Sequence, residues 1–130
     1  MRWLFLAVTL GWTGAAVAAE DCSTLETQLD INACAGRNFD AADKALNQAY
    51  RAVVQRLADD ADGLANLKAA ERAWVAYRDA ECTFAAMSVS QGSIYPLIWN
   101  GCRESMTKDR TAILDGYLHC AEGDLACPVP

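Results

Sequence analysis

Apolar side chains recur along most of this chain at intervals of three and four, the spacing that lines one face of a helix. From residue 39 to 57 the larger ones stand at Phe39, Leu46, Tyr50, Val53 and Leu57, with Ala42 and Ala49 filling the same face. The spacing predicts a first helix there, capped by Asn38 or Asp40. The run Asp59-Asp60-Ala61-Asp62-Gly63 breaks the period with turn formers and places carboxylates ahead of the next helix, so two helices meet in a short hairpin. A second helix is expected over about 64–86, with Leu67, Glu71, Trp74, Arg78, Glu81, Cys82 and Ala85 on one stripe. Residues 88–93 have no period and are rich in Ser and Gly, which reads as a loop. Ser93 then caps a third helix. Pro96 falls in its first turn, where a missing N–H costs nothing, and Leu97 or Ile98, Cys102, Met106, Arg110, Ile113 and Tyr117 form its stripe. Gly116 weakens this helix near its end, and the tail from Cys120 is too short and turn-rich for an element. No strand period or internal repeat occurs. The expected fold class is all-α, a helical hairpin plus a third helix.

The amino end follows another pattern. One positive charge, Arg2, precedes an apolar stretch over 3–19 that ends in Ala15-Ala16-Val17-Ala18-Ala19. This is the pattern of a secretory signal peptide, with cleavage after Ala18 or Ala19 and residues 20–130 forming one mature domain. The stretch is at the short edge for a membrane span and lacks a cationic stop-transfer flank, so no membrane span is expected after cleavage. Cys22 follows Ala-Glu-Asp rather than the small residues that lipid attachment needs. The expected location is periplasmic or secreted.

Without the leader, about 111 residues remain, with ten basic residues against seventeen acidic ones, a net charge near −7. The basic residues are scattered among acids, which argues against nucleic acid and anionic membranes and favours a basic partner. A chain of this length buries roughly two thirds of its unfolded surface, so cross-links matter. All six cysteines lie beyond the leader. An even number in a small exported domain reads as three disulfides. The short closures are Cys22–Cys34, Cys82–Cys102 and Cys120–Cys127; the second follows from helices two and three running antiparallel through the Ser-Gly loop. A zinc site would need paired Cys-x-x-Cys or a second His, and neither occurs, so no metal and no cofactor are expected.

Arg78 and Asp79 have the chemistry of an active site, but a scaffold role fits them better. Asp43 and Asn47 fall four apart on the first helix and can accept from Arg78 across the hairpin, while the Arg78 stem lies along Trp74. Tyr50 and Trp74 read as core, and His119 as a cation at a helix C-terminus. Nucleophilic use of Ser88, Ser90 or Ser93 would require a base and an orienting acid, and one histidine makes that a poor arrangement. As a binding loop, residues 88–95 offer the hydroxyls of Ser88, Ser90 and Ser93, the amide of Gln91, the flexible Gly92, and tips at Val89, Ile94 and Tyr95.

The order Cys34-Ala35, Phe39, Ala42-Asp43, Leu46-Asn47, Tyr50, then Ala73-Trp74-Val75, Tyr77-Arg78-Asp79-Ala80, Cys82, then Gly92-Ser93, Cys102, Thr107, Arg110 and Leu114 resembles the LprI-type lysozyme-inhibitor domain of exported bacterial proteins. The likeness spans most of the chain after the leader. It implies a helical, cysteine-bridged, non-catalytic domain whose partner is a lysozyme-type hydrolase, and the acidic charge of this chain favours a basic one. The chain departs from the pattern in two respects. It lacks the lipid-attachment cysteine of the mycobacterial namesake type, and it adds Cys120 and Cys127 to the four matching cysteines. Two other function classes compete with inhibition: a structural or protein-binding envelope module without action on lysozyme, and an enzyme built on the carboxylates with Arg78, for which no catalytic spacing speaks.

Overall fold

In the computed structural model, which describes residues 18–129, three helices account for most of the chain. They are α1 (Gln28–Arg56), α2 (Ala61–Ala85) and α3 (Tyr95–Leu118). Short 3-10 turns stand at Cys22–Thr24 and Met87–Val89, and no strand occurs among the described residues. The expected leader over 1–19 lies almost wholly outside these residues. No helix described is long and apolar enough to cross a membrane.

α1 begins eleven residues before the expected Phe39, and neither Asn38 nor Asp40 caps it. Thr27 does: its hydroxyl accepts from the Asp30 N–H at 3.1 Å and donates to the Asp30 carboxylate at 2.6 Å. Asn38 lies inside the helix and grips the backbone of Glu20 through both its amide groups, at 2.8 and 2.9 Å. Arg37 holds the Glu20 carboxylate beside it at 2.9 Å. Cys34 is therefore a helical residue, and its bridge to Cys22 ties the first 3-10 turn to the side of α1. The hairpin follows its carboxylates. Asp60 caps α2 by accepting from the Gly63 N–H at 2.9 Å. Gly63, read as a turn residue, belongs to the first turn of α2, and a Cβ there would run into the Asp60 carboxylate that closes over it.

α1 packs chiefly on α3, and α2 leans on α3 more than on α1, although the hairpin joins α1 to α2. The buried face of α1 runs Cys34, Ala35, Phe39, Ala42, Leu46, Ala49 and Val53. On α2 the stripe holds from Leu67 to Cys82 but ends on the buried Ala86, not on the exposed Ala85. On α3 the expected stripe is displaced by one residue. Ile113 is 47% exposed and Met106 half-buried, whereas Thr107 and Leu114 are fully buried. Counting bulky apolar residues selects Met106 and Ile113, but the seam against α1 needs a compact residue, and the buried Arg78 beneath it needs an acceptor. Thr107 supplies both.

The apolar core gathers at the hairpin end around Leu46, Ala49, Val53, Leu57, Leu67 and Leu114. Tyr50 and Trp74 pack against it half-buried. Val129, from the irregular tail, is only 3% exposed and completes the same cluster. The bridge Cys120–Cys127 turns the tail back toward it, and Cys82–Cys102 joins α2 to α3 near the opposite end. All six cysteines are paired.

Candidate partner-binding end and the arginine cluster behind it

The helices run so that the start of α1, the end of α2 and the start of α3 share one end of the bundle, where residues 88–95 cross over. These residues are a chain of tight turns rather than the aperiodic loop expected. Val89 donates to Ala86, Ser90 to Met87, Gly92 to Val89 at 2.8 Å, and Tyr95 to Gly92. The Asn32 amide of α1 donates to the Ser93 carbonyl at 2.8 Å and pins the crossing from outside. Ser93 does not cap α3, as expected of it; Ile94 takes that position with no side-chain cap, and Pro96 follows in the first turn. Its own backbone bonds and Asn32 thus contribute to the loop's shape.

Ser88, Ser90, Gln91, Gly92 and Ser93 are all exposed, and none of their side chains hydrogen-bonds within the described residues. Tyr95 is half-buried and stacks on Trp99, with ring centroids 6.3 Å apart. A shallow groove of about 480 Å³ separates the turns from the first residues of α1, including Gln28 and Leu29. Beside Ile94, which was expected as a tip, sequence reasoning missed the exposed apolar residues around the crossing: Leu29 (77% exposed), Phe84 (69%) and Met87 (62%), with Ile98, expected on the α3 stripe, exposed as well. Elements 50 residues apart supply them, so no local pattern could group them.

Behind this end lies a charged interior. Arg78 is 4% exposed. Its Nε donates to Asp79 at 2.9 Å, and its Nη1 meets Thr107 Oγ1 at 3.3 Å and Asp43 at 3.5 Å. Its guanidinium lies over Trp74 and Phe39, 5.1 and 5.2 Å from the ring centroids. Asn47, expected as an acceptor for Arg78, instead donates to the Asp43 carboxylate at 3.1 Å and to its carbonyl at 2.8 Å, which steadies Asp43. Two further arginines join the cluster: Arg110, expected only as a position on the α3 stripe, and Arg103, which the sequence did not single out. Arg103 reaches Asp79 at 3.4 Å, and Arg110 donates twice to one oxygen of Glu71, the shorter bond being 2.8 Å. Burial makes the charged form of Arg103 costlier and lowers its pKa, against the opposing pull of Asp79. Three carboxylates thus face three arginines, and the cluster is close to neutral. An open groove of about 670 Å³, lined by Asp43, Asn47, Tyr50, Lys68 and Arg72 among others, exposes its outer side between α1 and α2.

This geometry offers no acid–base pair to the serines. His119 stands at the far end of α3, its Nδ1 2.8 Å from the Asp115 carbonyl. Over 24 helical residues that is roughly 36 Å from the crossing. Among the described residues no group of three or more His, Cys, Asp or Glu is placed to hold a metal.

The pattern built on Cys34, Trp74, Arg78, Asp79, Cys82 and Cys102 lies inside residues 18–114, which match the family described as lysozyme inhibitor LprI. The chain belongs to the LprI family. An uncharacterized protein of Rhizobium meliloti (strain 1021) is 37% identical to this chain over 113 residues, covering 78% of this chain and 81% of its own. No solved structure matches. The LprI match takes in the crossing and all three arginines but ends at residue 114, before Cys120, Cys127 and Val129.

Proposed function

We propose that this LprI-family chain is an exported inhibitor that binds a basic lysozyme-type glycan hydrolase through the end of the bundle bearing residues 88–95. One observation carries the reading. The unbonded side chains of Ser88, Ser90, Gln91 and Ser93 sit at the same end as the exposed Leu29, Phe84 and Met87, so polar donors and apolar surface share one end, the makeup of a protein-binding patch. Family membership supplies the class of partner, and the net charge near −7 of residues 20–130 complements a basic enzyme and speeds encounter.

A glycan hydrolase works with two carboxyl groups, one protonated and one ionised. The turns spend the N–H groups of Val89, Ser90, Gly92 and Tyr95 on backbone carbonyls, while the three hydroxyls and the Gln91 side-chain amide stay available as donors to those carboxylates. The partner's ionised carboxylate loses water at the cleft and regains hydrogen bonds from these groups. The Arg78 cluster is scaffold in this reading, and the protein catalyses nothing itself.

The test is a lysozyme turbidity assay with the oxidised protein at low and high salt. Inhibition that persists after binding, while the encounter rate falls as the Debye length drops below about 8 Å, is expected. A Ser90→Ala/Gln91→Ala variant should lose most of its potency with its melting temperature unchanged. Full inhibition by that variant removes the loop from the reading. No effect of the native protein on any basic or bacterial lysozyme removes the inhibitor reading and leaves a protein-binding module.

A further inference from the structure

Five cation–π contacts occur in 112 described residues, where about one per 70–80 residues is usual, and all five belong to a single column. It begins with the Tyr95 ring stacked on Trp99. Next, the Arg103 guanidinium lies over both the Trp99 and the Phe39 rings, 4.0 and 3.6 Å from their centroids. Beyond Phe39 come Arg78, Trp74 and Arg110. Tyr95, Trp99 and Arg103 are spaced by four along one face of α3, while Phe39 belongs to α1 and Arg78 and Trp74 to α2. Rings and guanidinium planes therefore alternate from the crossing into the middle of the bundle.

We propose that Arg103 is a positioning residue for residues 88–95. Held over both Phe39 and Trp99 and drawn to Asp79, it fixes the Trp99 ring, and Trp99 fixes Tyr95, the last residue of the crossing. Tyr95 closes the final turn through its N–H to the Gly92 carbonyl, so the set of its ring sets the turn that presents Gln91 and Ser93. Arg103 is nearly buried, with 15% of its side chain exposed, and acts without reaching the exposed side chains of the crossing. Its guanidinium matters as a plane as much as a charge: a lysine ammonium can answer Asp79 but cannot stack flat over two rings. The consequence for inhibition rests on the function proposed above; the positioning itself does not.

The experiment uses the full oxidised protein and reads hydrogen exchange at the Gly92 and Tyr95 amides, together with the near-ultraviolet circular dichroism of Trp99, assigned by difference from Trp99→Phe. Arg103→Lys keeps the charge and removes the plane. Exchange at both amides should rise at least tenfold and the Trp99 signal should collapse. Leu67→Ala, a control in the apolar core at the opposite end, should lower the melting temperature and leave both readouts unmoved. If Arg103→Lys does not fold, Trp99→Leu breaks the same link one step nearer the crossing while leaving Arg103 beside Asp79, and should speed exchange equally. Unchanged exchange in the folded variant, or equal loosening by Leu67→Ala, overturns the proposal. Turbidity assays on the same samples test the partner separately: a loosened crossing in a protein that inhibits no hydrolase upholds the positioning and defeats the inhibitor reading.

Discussion

Replacing Arg78 with alanine tests the charged interior most directly. The substitution removes a charge-assisted bond to Asp79 at 2.9 Å, the hydrogen bond to the fully buried Thr107 hydroxyl, and two ring contacts. Losing one partner of a buried ion pair costs about 3–5 kcal/mol. Here Asp79 keeps Arg103 at 3.4 Å, Asp43 keeps the Asn47 amide at 3.1 Å, and the two carboxylates are 43% and 41% exposed to water, so the loss falls at the low end, about 3 kcal/mol. For a chain of this size, at about 4 °C per kcal/mol, the melting temperature should drop by about 12 °C. Arg78→Met keeps the stem over the rings and should recover about 1 kcal/mol, whereas Arg78→Lys should stay well below the native protein because it lacks the fork that reaches Asp79, Asp43 and Thr107 together. Thermal and urea unfolding, followed by circular dichroism on the oxidised protein, provide the measure. An alanine variant melting within 3 °C of native, or a lysine variant as stable as native, would refute the assignment of Arg78 to the scaffold.

Three more outcomes are expected. Val129→Ala should cost about 2 kcal/mol in urea unfolding, the value of a well-buried side chain, although it lies in an irregular tail where substitutions usually cost little. Cys82→Ser/Cys102→Ser opens a loop of about 20 residues and should cost about 3 kcal/mol on the loop-entropy account, and alkylation of the native protein without reductant should add no mass. Asp21 has its pKa lowered below the ordinary 3.8 by the Ser23 hydroxyl and backbone N–H. Its folded value lies below its unfolded one, so its contribution is complete above 3.8 and fades as pH falls through the folded value; an NMR titration should show the lowered midpoint, and Ser23→Ala should move it back toward 3.8.

The three helices were legible because each carries a long run of period-3.6 positions. Their boundaries were less so. The start of α1 was hidden by Asn32, Gly36 and Asn38, whose weak helix propensity is outweighed by the Thr27 cap and by the Cys22–Cys34 bridge. The Arg78–Asp43 contact could be read from spacing, since both residues sit on predicted faces. Arg103 could not: its partners Phe39 and Asp79 are 64 and 24 residues away, and a lone Arg beside Cys102 reads as surface. The signal available was Tyr95, Trp99 and Arg103 at spacings of four, which outlines the column on α3. The displaced α3 stripe has the same origin, because a rule that favours apolar bulk passes over a threonine chosen to serve a buried arginine.

The packing of α1 on α3, closed by Val129, fixes when this protein can fold. α1 and α2 leave the ribosome first, yet the hairpin gives α1 little to bury against. Phe39 waits for Arg103, 64 residues later, and the cluster around Val53 waits for residue 129. At 5–20 residues per second, that is an interval of roughly 3–13 s in which the apolar face of α1 stands open. Packing of α1 thus waits until residue 129 has been made, and a chain interrupted earlier presents to its surroundings an α1 that looks like an unfolded client.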